Sequence, residues 1–107
     1  MVDDPSMPEQ REVAQFLEEN GMTAPPAYRL LDLAAEVGEV AADAAKSSEY
    51  GDEPDSLSVP EDELGDALFA LLALAEELET DAGEALATSL SKYEARIDAN
   101  GDAGSGA

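Results

Sequence analysis

The chain has no cysteine, no histidine and no tryptophan. Without cysteine there is no disulfide, no thiolate zinc site and no thiol nucleophile. Without histidine there is no imidazole base, so carboxylate oxygen is the only plentiful metal-ligating side chain left. Positive charge is scarce as well: 5 Lys+Arg stand against 26 Asp+Glu, a formal net charge of -21. Binding to a phosphate backbone needs clustered Lys and Arg, and bare DNA or RNA is therefore not expected as a partner. Long apolar runs are missing too. The longest, Ala67 to Ala75, falls far short of the roughly 20 residues that span a bilayer. The opening MVDDPSMPEQ has neither the basic region nor the apolar stretch of a signal peptide. A soluble, cytoplasmic protein with no membrane partner is expected.

What is present is a 44% hydrophobic composition in 107 residues, which is ordinary for one small globular domain. A chain this short buries a modest fraction of its surface, and association with another copy is a common remedy. Dispersed carboxylates, with Lys46 and Lys92 as the only lysines, suit a salt-adapted, halophilic protein in which salt screens self-repulsion. An acidic helical module that binds a partner protein is the alternative.

Periodicity and stop signals predict an all-α chain of four helices. The first spans about Pro8 to Asn20, with Ser6 and Glu9 as a capping box and Val13, Phe16 and Leu17 as its apolar stripe. The second follows Pro25-Pro26 and runs to about Lys46, with Leu30, Leu33, Val37, Val40 and Ala44 at helical spacing. A loop without periodicity, Ser47 to Val59, leads to a third helix from near Pro60 to about Glu79, with Ser58 and Glu61 as a second capping box. The fourth opens at Thr80 or Asp81 and is expected to bury Leu86, Leu90, Tyr93 and Ile97. The domain plan is a flexible N-terminus at 1–7, a helical domain at 8–99 and a disordered tail at 100–107. In the third helix, Ala67 to Ala75 is apolar all round, which predicts burial all round and a partner subunit over the face that three companion helices cannot cover.

Two phrases repeat: Glu36-Val37-Gly38-Glu39 and Glu63-Leu64-Gly65-Asp66. Each puts two carboxylates on one helical face, about 5 to 6 Å apart at Cβ. Each also holds a glycine, which costs roughly 0.8 to 1.0 kcal/mol in a helix and suggests close approach of two backbones. Surface acids and helix N-terminal charge, notably at Glu61, Asp62 and Glu63, are the ordinary explanation. Asp66 resists it, because it borders the all-apolar run, where an unpaired carboxylate is costly and a cation would relieve it. Oxygen-only ligation selects Mg²⁺, with Mn²⁺ as a substitute, and points to phosphate chemistry. Lys92 and Arg96 lie one turn apart on the last helix, where a shared anion, or the helix C-terminus, explains two neighbouring cations.

The run Leu33-Ala34-Ala35-Glu36-Val37-Gly38-Glu39, then Glu63-Leu64-Gly65-Asp66, then Lys92-Tyr93-Glu94-Ala95-Arg96, resembles the MazG-like all-α nucleoside triphosphate pyrophosphohydrolases. Ala35 stands where many members carry a further glutamate. The resemblance implies a four-helix, MazG-like bundle completed by dimerisation or as a dimer of dimers. It implies that Glu36, Glu39, Glu63 and Asp66 hold Mg²⁺ on a nucleoside triphosphate, that Lys92 and Arg96 contact phosphate, and that a nucleoside monophosphate and pyrophosphate leave. With no histidine, Glu36 or Glu39 is the expected acceptor of the water proton. Phe16 is a candidate for the base pocket. Phosphoribosyl-ATP pyrophosphatase, which shares the acid pattern, is the rival within the superfamily.

Overall fold

The structure is a computed structural model that describes residues 2–102 and 104. Met1, and positions 103 and 105–107 of the expected disordered tail, lie outside the described residues. The elements are α1 (Pro8–Glu19), α2 (Pro26–Ser47), a 3₁₀ turn (Pro54–Ser56), α3 (Glu61–Glu77) and α4 (Ala82–Asn100). Among the described residues there is no strand, and no helix is long and apolar enough to cross a membrane.

Proline starts α1 and α2, where its missing N–H is one of the unpaired donors of a first turn in any case. At the end of α1, Asn20 Nδ2 donates to the Phe16 carbonyl at 2.8 Å, and Gly21, at φ +60, turns the chain away. The two expected capping boxes do not form. Met7 and Pro60 occupy the N-cap positions of α1 and α3 without a side-chain cap. Ser6 instead donates from its hydroxyl to Asp81 at 2.7 Å. The Ser58 N–H donates to the Ser47 hydroxyl at 2.7 Å, closing the base of the α2–α3 loop. The Ser6 hydroxyl found a distant partner, whereas α3 begins at Glu61 behind Pro60 and Ser58 is held outside it through its backbone. Asp81 is the cap that does form, accepting from the Glu84 N–H at 3.0 Å at the start of α4.

Helices α2 and α3 pack antiparallel. Buried Arg29 at the start of α2 reaches Glu77 at the end of α3, at 4.0 Å, and donates to the Met22 carbonyl, while Asp43 late in α2 meets Glu63 early in α3. Helix α1 also packs on α3. Fully buried Gln10 joins α1, α3 and α4: it donates to Glu76 and to the Thr80 carbonyl, each at 2.9 Å, and accepts from the Ala82 N–H at 2.7 Å. Every polar atom of that buried amide is used, so the junction is rigid.

The apolar core of one chain is small: Leu17, Ala70, Leu72, Ala73 and Ala75. Only the two leucines contribute the roughly 1.5 to 3 kcal/mol of a large buried side chain. By contrast, among the described residues sixteen large apolar or aromatic side chains are exposed, including Leu64, Leu68 and Leu71 on α3 and Leu78 just after it. The expectation that α4 buries Leu86, Leu90, Tyr93 and Ile97 is corrected within one chain: they are 40 to 53% exposed, and α4 has no buried residue. Helix α4 is held through its first turns and then diverges, so the radius of gyration is 16.7 Å, against about 13 Å for a compact chain of this length. The accessible surface is 7140 Å², against about 5,700 Å² expected for a compact monomer of 11.1 kDa.

Candidate active site

The antiparallel register of α2 and α3 brings the two acidic phrases to one level of the seam. Glu36 and Glu63 are half-buried, whereas Glu39 and Asp66 are exposed. Asp66 therefore does not sit in the apolar interior, which corrects the argument from its neighbours in sequence: it is exposed and near enough to Glu36 of α2 for its charge to act there. The glycine reading is corrected too. A Cβ built on Gly38 or Gly65 would meet nothing within 4 Å, so neither marks a close approach of backbones.

Glu36 lies among Glu39, Asp66 and Asp32. Burial raises its carboxyl above the ordinary value, and the charge of Glu39 and then of Asp66 adds to the effect. Glu63 is raised to about 7, first through a hydrogen bond with Asp43, then through burial and the charges of Asp43, Glu39 and Asp62. Glu36 Oε2, Asp43 Oδ2 and Glu63 Oε2 are buried with no donor in reach. Ionised carboxylates only accept, so facing pairs need a proton or a cation between them.

Asp43 is the member of this group that motif reasoning missed. Glu36, Glu39 and Asp43 follow at i, i+3 and i+7, one face of a helix, and that spacing was the available signal. Among the described residues no three carboxylates converge into a ready-made metal group. They stand as pairs, Glu63 with Asp43 and Glu36 with Glu39, as like charges do when only protons are shared between them. The donor set nevertheless fits a hard divalent cation: it is all oxygen, strongly anionic, and contains three buried oxygens that lack a partner.

Lys92 and Arg96 are not brought to these acids. Both lie against Tyr93, with Lys92 Nζ 5.0 Å and Arg96 Cζ 5.8 Å from its ring centroid, and neither forms an ion pair among the described residues. Phe16 is half-exposed and meets Phe69 edge-on, centroids 5.9 Å apart. With Glu12 and Val13 they line a shallow groove of about 270 Å³, and Phe69 stands one turn along α3 from Asp66. A larger apolar cleft of about 330 Å³ runs between α3 and α4, bounded by Leu71, Leu74, Leu78 and Leu86, and carries no carboxylate.

The family model of the MazG nucleotide pyrophosphohydrolase domain matches residues 25–99, from the start of α2 to the end of α4. The chain belongs to the MazG family. No curated protein and no solved structure matches it. The MazG match spans both acidic phrases and the Lys92–Arg96 segment, and leaves α1, with Phe16, outside. Its all-helical architecture is that of the structure.

Proposed function

We propose that the chain is a Mg²⁺-dependent pyrophosphohydrolase that converts a nucleoside triphosphate to its monophosphate and pyrophosphate, a house-cleaning activity. The observation that carries this reading is the trio of buried, donor-less oxygens of Glu36, Asp43 and Glu63 on the α2–α3 seam of a MazG domain. Glu36, Glu39, Glu63 and Asp66 would hold the cation, with Mn²⁺ able to replace it. When bound, Mg²⁺ supplies polarisation of the phosphoryl oxygens and offsets developing negative charge.

The residues of the chain do the rest. Water adds to the α-phosphorus, the bond from that phosphorus to the bridging oxygen breaks, and pyrophosphate leaves. Glu36 or Glu39 takes the water proton, and the raised proton affinity of Glu36 makes it a stronger base than an ordinary carboxylate. Lys92 and Arg96 bind phosphate, and the Phe16–Phe69 groove takes the base. We infer a homodimer or homotetramer in a salt-rich cytoplasm, from the exposed leucines and the -21 charge. The test is pyrophosphate release across ordinary and damaged nucleoside triphosphates in molar KCl, with and without Mg²⁺. Release that requires Mg²⁺ is expected, and no release from any triphosphate would overturn the reading.

A further inference from the structure

Helix α4 is held at one end. Among the described residues, extended packing joins α2 to α3 and α1 to α3, but does not join α4 to any helix. The chain enters α4 through a corner where Glu79, a residue with a side chain, is held at φ +55, a conformation that persists only where the surroundings enforce it. Hydrogen bonds supply that enforcement. Gln10 of α1 donates to the Thr80 carbonyl and accepts from the Ala82 N–H. Asp81, between them, accepts from the Ser6 N–H at 2.9 Å, the Ser6 hydroxyl at 2.7 Å and the Glu84 N–H at 3.0 Å. These bonds hold its carboxyl below the usual value.

The segment that precedes α1 closes over this corner. The Val2 N–H reaches the buried Glu76 carboxylate at 3.3 Å, and buried Pro5 accepts from Arg11 through its carbonyl. Ser6 lies so close to α4 that a Cβ on Gly83 would be driven into its hydroxyl oxygen. Gly83 stands in the first turn of α4 and has no left-handed φ, so its backbone does not require glycine, and alanine would ordinarily favour the helix. The missing side chain is the room that Ser6 occupies. Ser6 and Gln10 both lie outside residues 25–99, the stretch matched by the MazG model. The corner also has leverage: Lys92 stands about 15 Å along α4 from Ala82, so a tilt of about 10° moves it by about 3 Å, enough to break a hydrogen bond to a phosphate oxygen.

We propose that residues 2–10 clamp the α3–α4 corner, and that Ser6 and Gln10 are positioning residues that set the direction of α4 and so place Lys92 and Arg96 for the triphosphate. What the two cations do rests on the pyrophosphohydrolase reading above; how they are placed rests on the corner alone. A cation that binds phosphate equally in the bound substrate and the transition state acts on KM and leaves kcat unchanged, whereas partial unfolding lowers the active fraction and leaves KM unchanged.

The test uses Gly83→Ala, Ser6→Ala and the double variant in the full chain, in molar KCl with Mg²⁺. Gly83→Ala is expected to raise KM for the triphosphate about tenfold with kcat within about twofold of wild type. Ser6→Ala, which keeps the backbone bond to Asp81, is expected to raise KM only about twofold, and the double variant to match it, because removing the hydroxyl makes room for the new Cβ. The direction of α4 is read separately. The chain has no cysteine, so spin labels on Ala41→Cys in α2 and Asp98→Cys in α4, both exposed, report one distance when labelled chain is diluted with unlabelled. Gly83→Ala is expected to broaden or shift it by on the order of 4 Å, and the double variant to restore it. A wild-type KM and distance in Gly83→Ala, equal effects of Gly83→Ala with and without the Ser6 hydroxyl, or a fall in kcat at unchanged KM would each overturn the proposal. If wild-type chain hydrolyses no triphosphate, the catalytic reading fails, and the label distances still decide whether the clamp sets α4.

Discussion

Asp43 of α2 faces Glu63 of α3, two acids at one level of the antiparallel seam, and a proton shared with Asp43, then burial and neighbouring charge, raise the Glu63 carboxyl to about 7. A proton holds together what a cation would otherwise bridge. Replacing Asp43 with asparagine gives Glu63 a neutral neighbour able to donate to it. The Glu63 carboxyl is expected to titrate back toward its ordinary value of 4.5, as followed by carboxyl carbon NMR in molar KCl. An unchanged titration would mean that Asp43 is not the cause.

The pH dependence of the metal-free chain follows from the same pair. A carboxyl whose folded value lies above its unfolded value binds more protons when folded between the two, so stability falls as pH rises through that window. For Glu63 the window runs from 4.5 to about 7. With EDTA in molar KCl, the thermal midpoint is expected to be higher at pH 5 than at pH 8, and the stabilising effect of added Mg²⁺ to grow with pH, since cation and proton compete for the same oxygens. A midpoint that rises from pH 5 to pH 8 without metal would contradict the pairing.

The small core sets a contrast between neighbours on α3. Leu72 is 3% exposed and Leu71 is 47% exposed. Leu72→Ala is expected to destabilise by about 2 to 5 kcal/mol wherever the chain is folded. Leu71→Ala costs little in a monomer but weakens an assembly that covers it. Denaturation midpoints that depend on protein concentration for wild type, and shift only for Leu71→Ala at low concentration, would fit the covered face.

Charge makes a separate prediction. At 0.1 M salt the Debye length is about 10 Å, so 26 acids repel across most of the molecule. Helical circular dichroism and the thermal midpoint are expected to fall in dilute buffer and to recover with molar KCl or millimolar Mg²⁺. Identical melting in both salts would remove the salt-adapted reading.

Four helices were legible because Pro8, Pro26, Gly21 and the periodic leucines are local signals, and their ends fell within a few residues of the observed ones. The caps were not, since the Ser6 hydroxyl pairs with Asp81 far away in sequence and α3 starts behind Pro60, which leaves Ser58 in the loop with its backbone tied to Ser47. The paired acids were visible as spacing, and α2–α3 packing did place them on one seam. Asp43 was hidden because only the register across helices gives it Glu63 as a partner. The burial assigned to Asp66 failed for a similar reason: an apolar run says which helix is buried, and only packing says which side. Phe16 was reachable as an apolar residue, but its pairing with Phe69 belongs to tertiary structure.

The α2–α3 acids carry Mg²⁺-dependent hydrolysis in this account, and Asp66 tests it most directly beside Asp62, an exposed acid one turn earlier in the first turn of α3, where negative charge favours the helix N-terminus. The measurement is Mg²⁺-dependent pyrophosphate release by Asp66→Asn and Asp62→Asn in molar KCl, on chains whose circular dichroism matches wild type. The expected result is a loss of about 100-fold or more for Asp66→Asn, the scale of removing one preorganised electrostatic group, with Asp62→Asn close to wild type. Equal activity and equal Mg²⁺-induced thermal shifts in wild type and Asp66→Asn would contradict the claim.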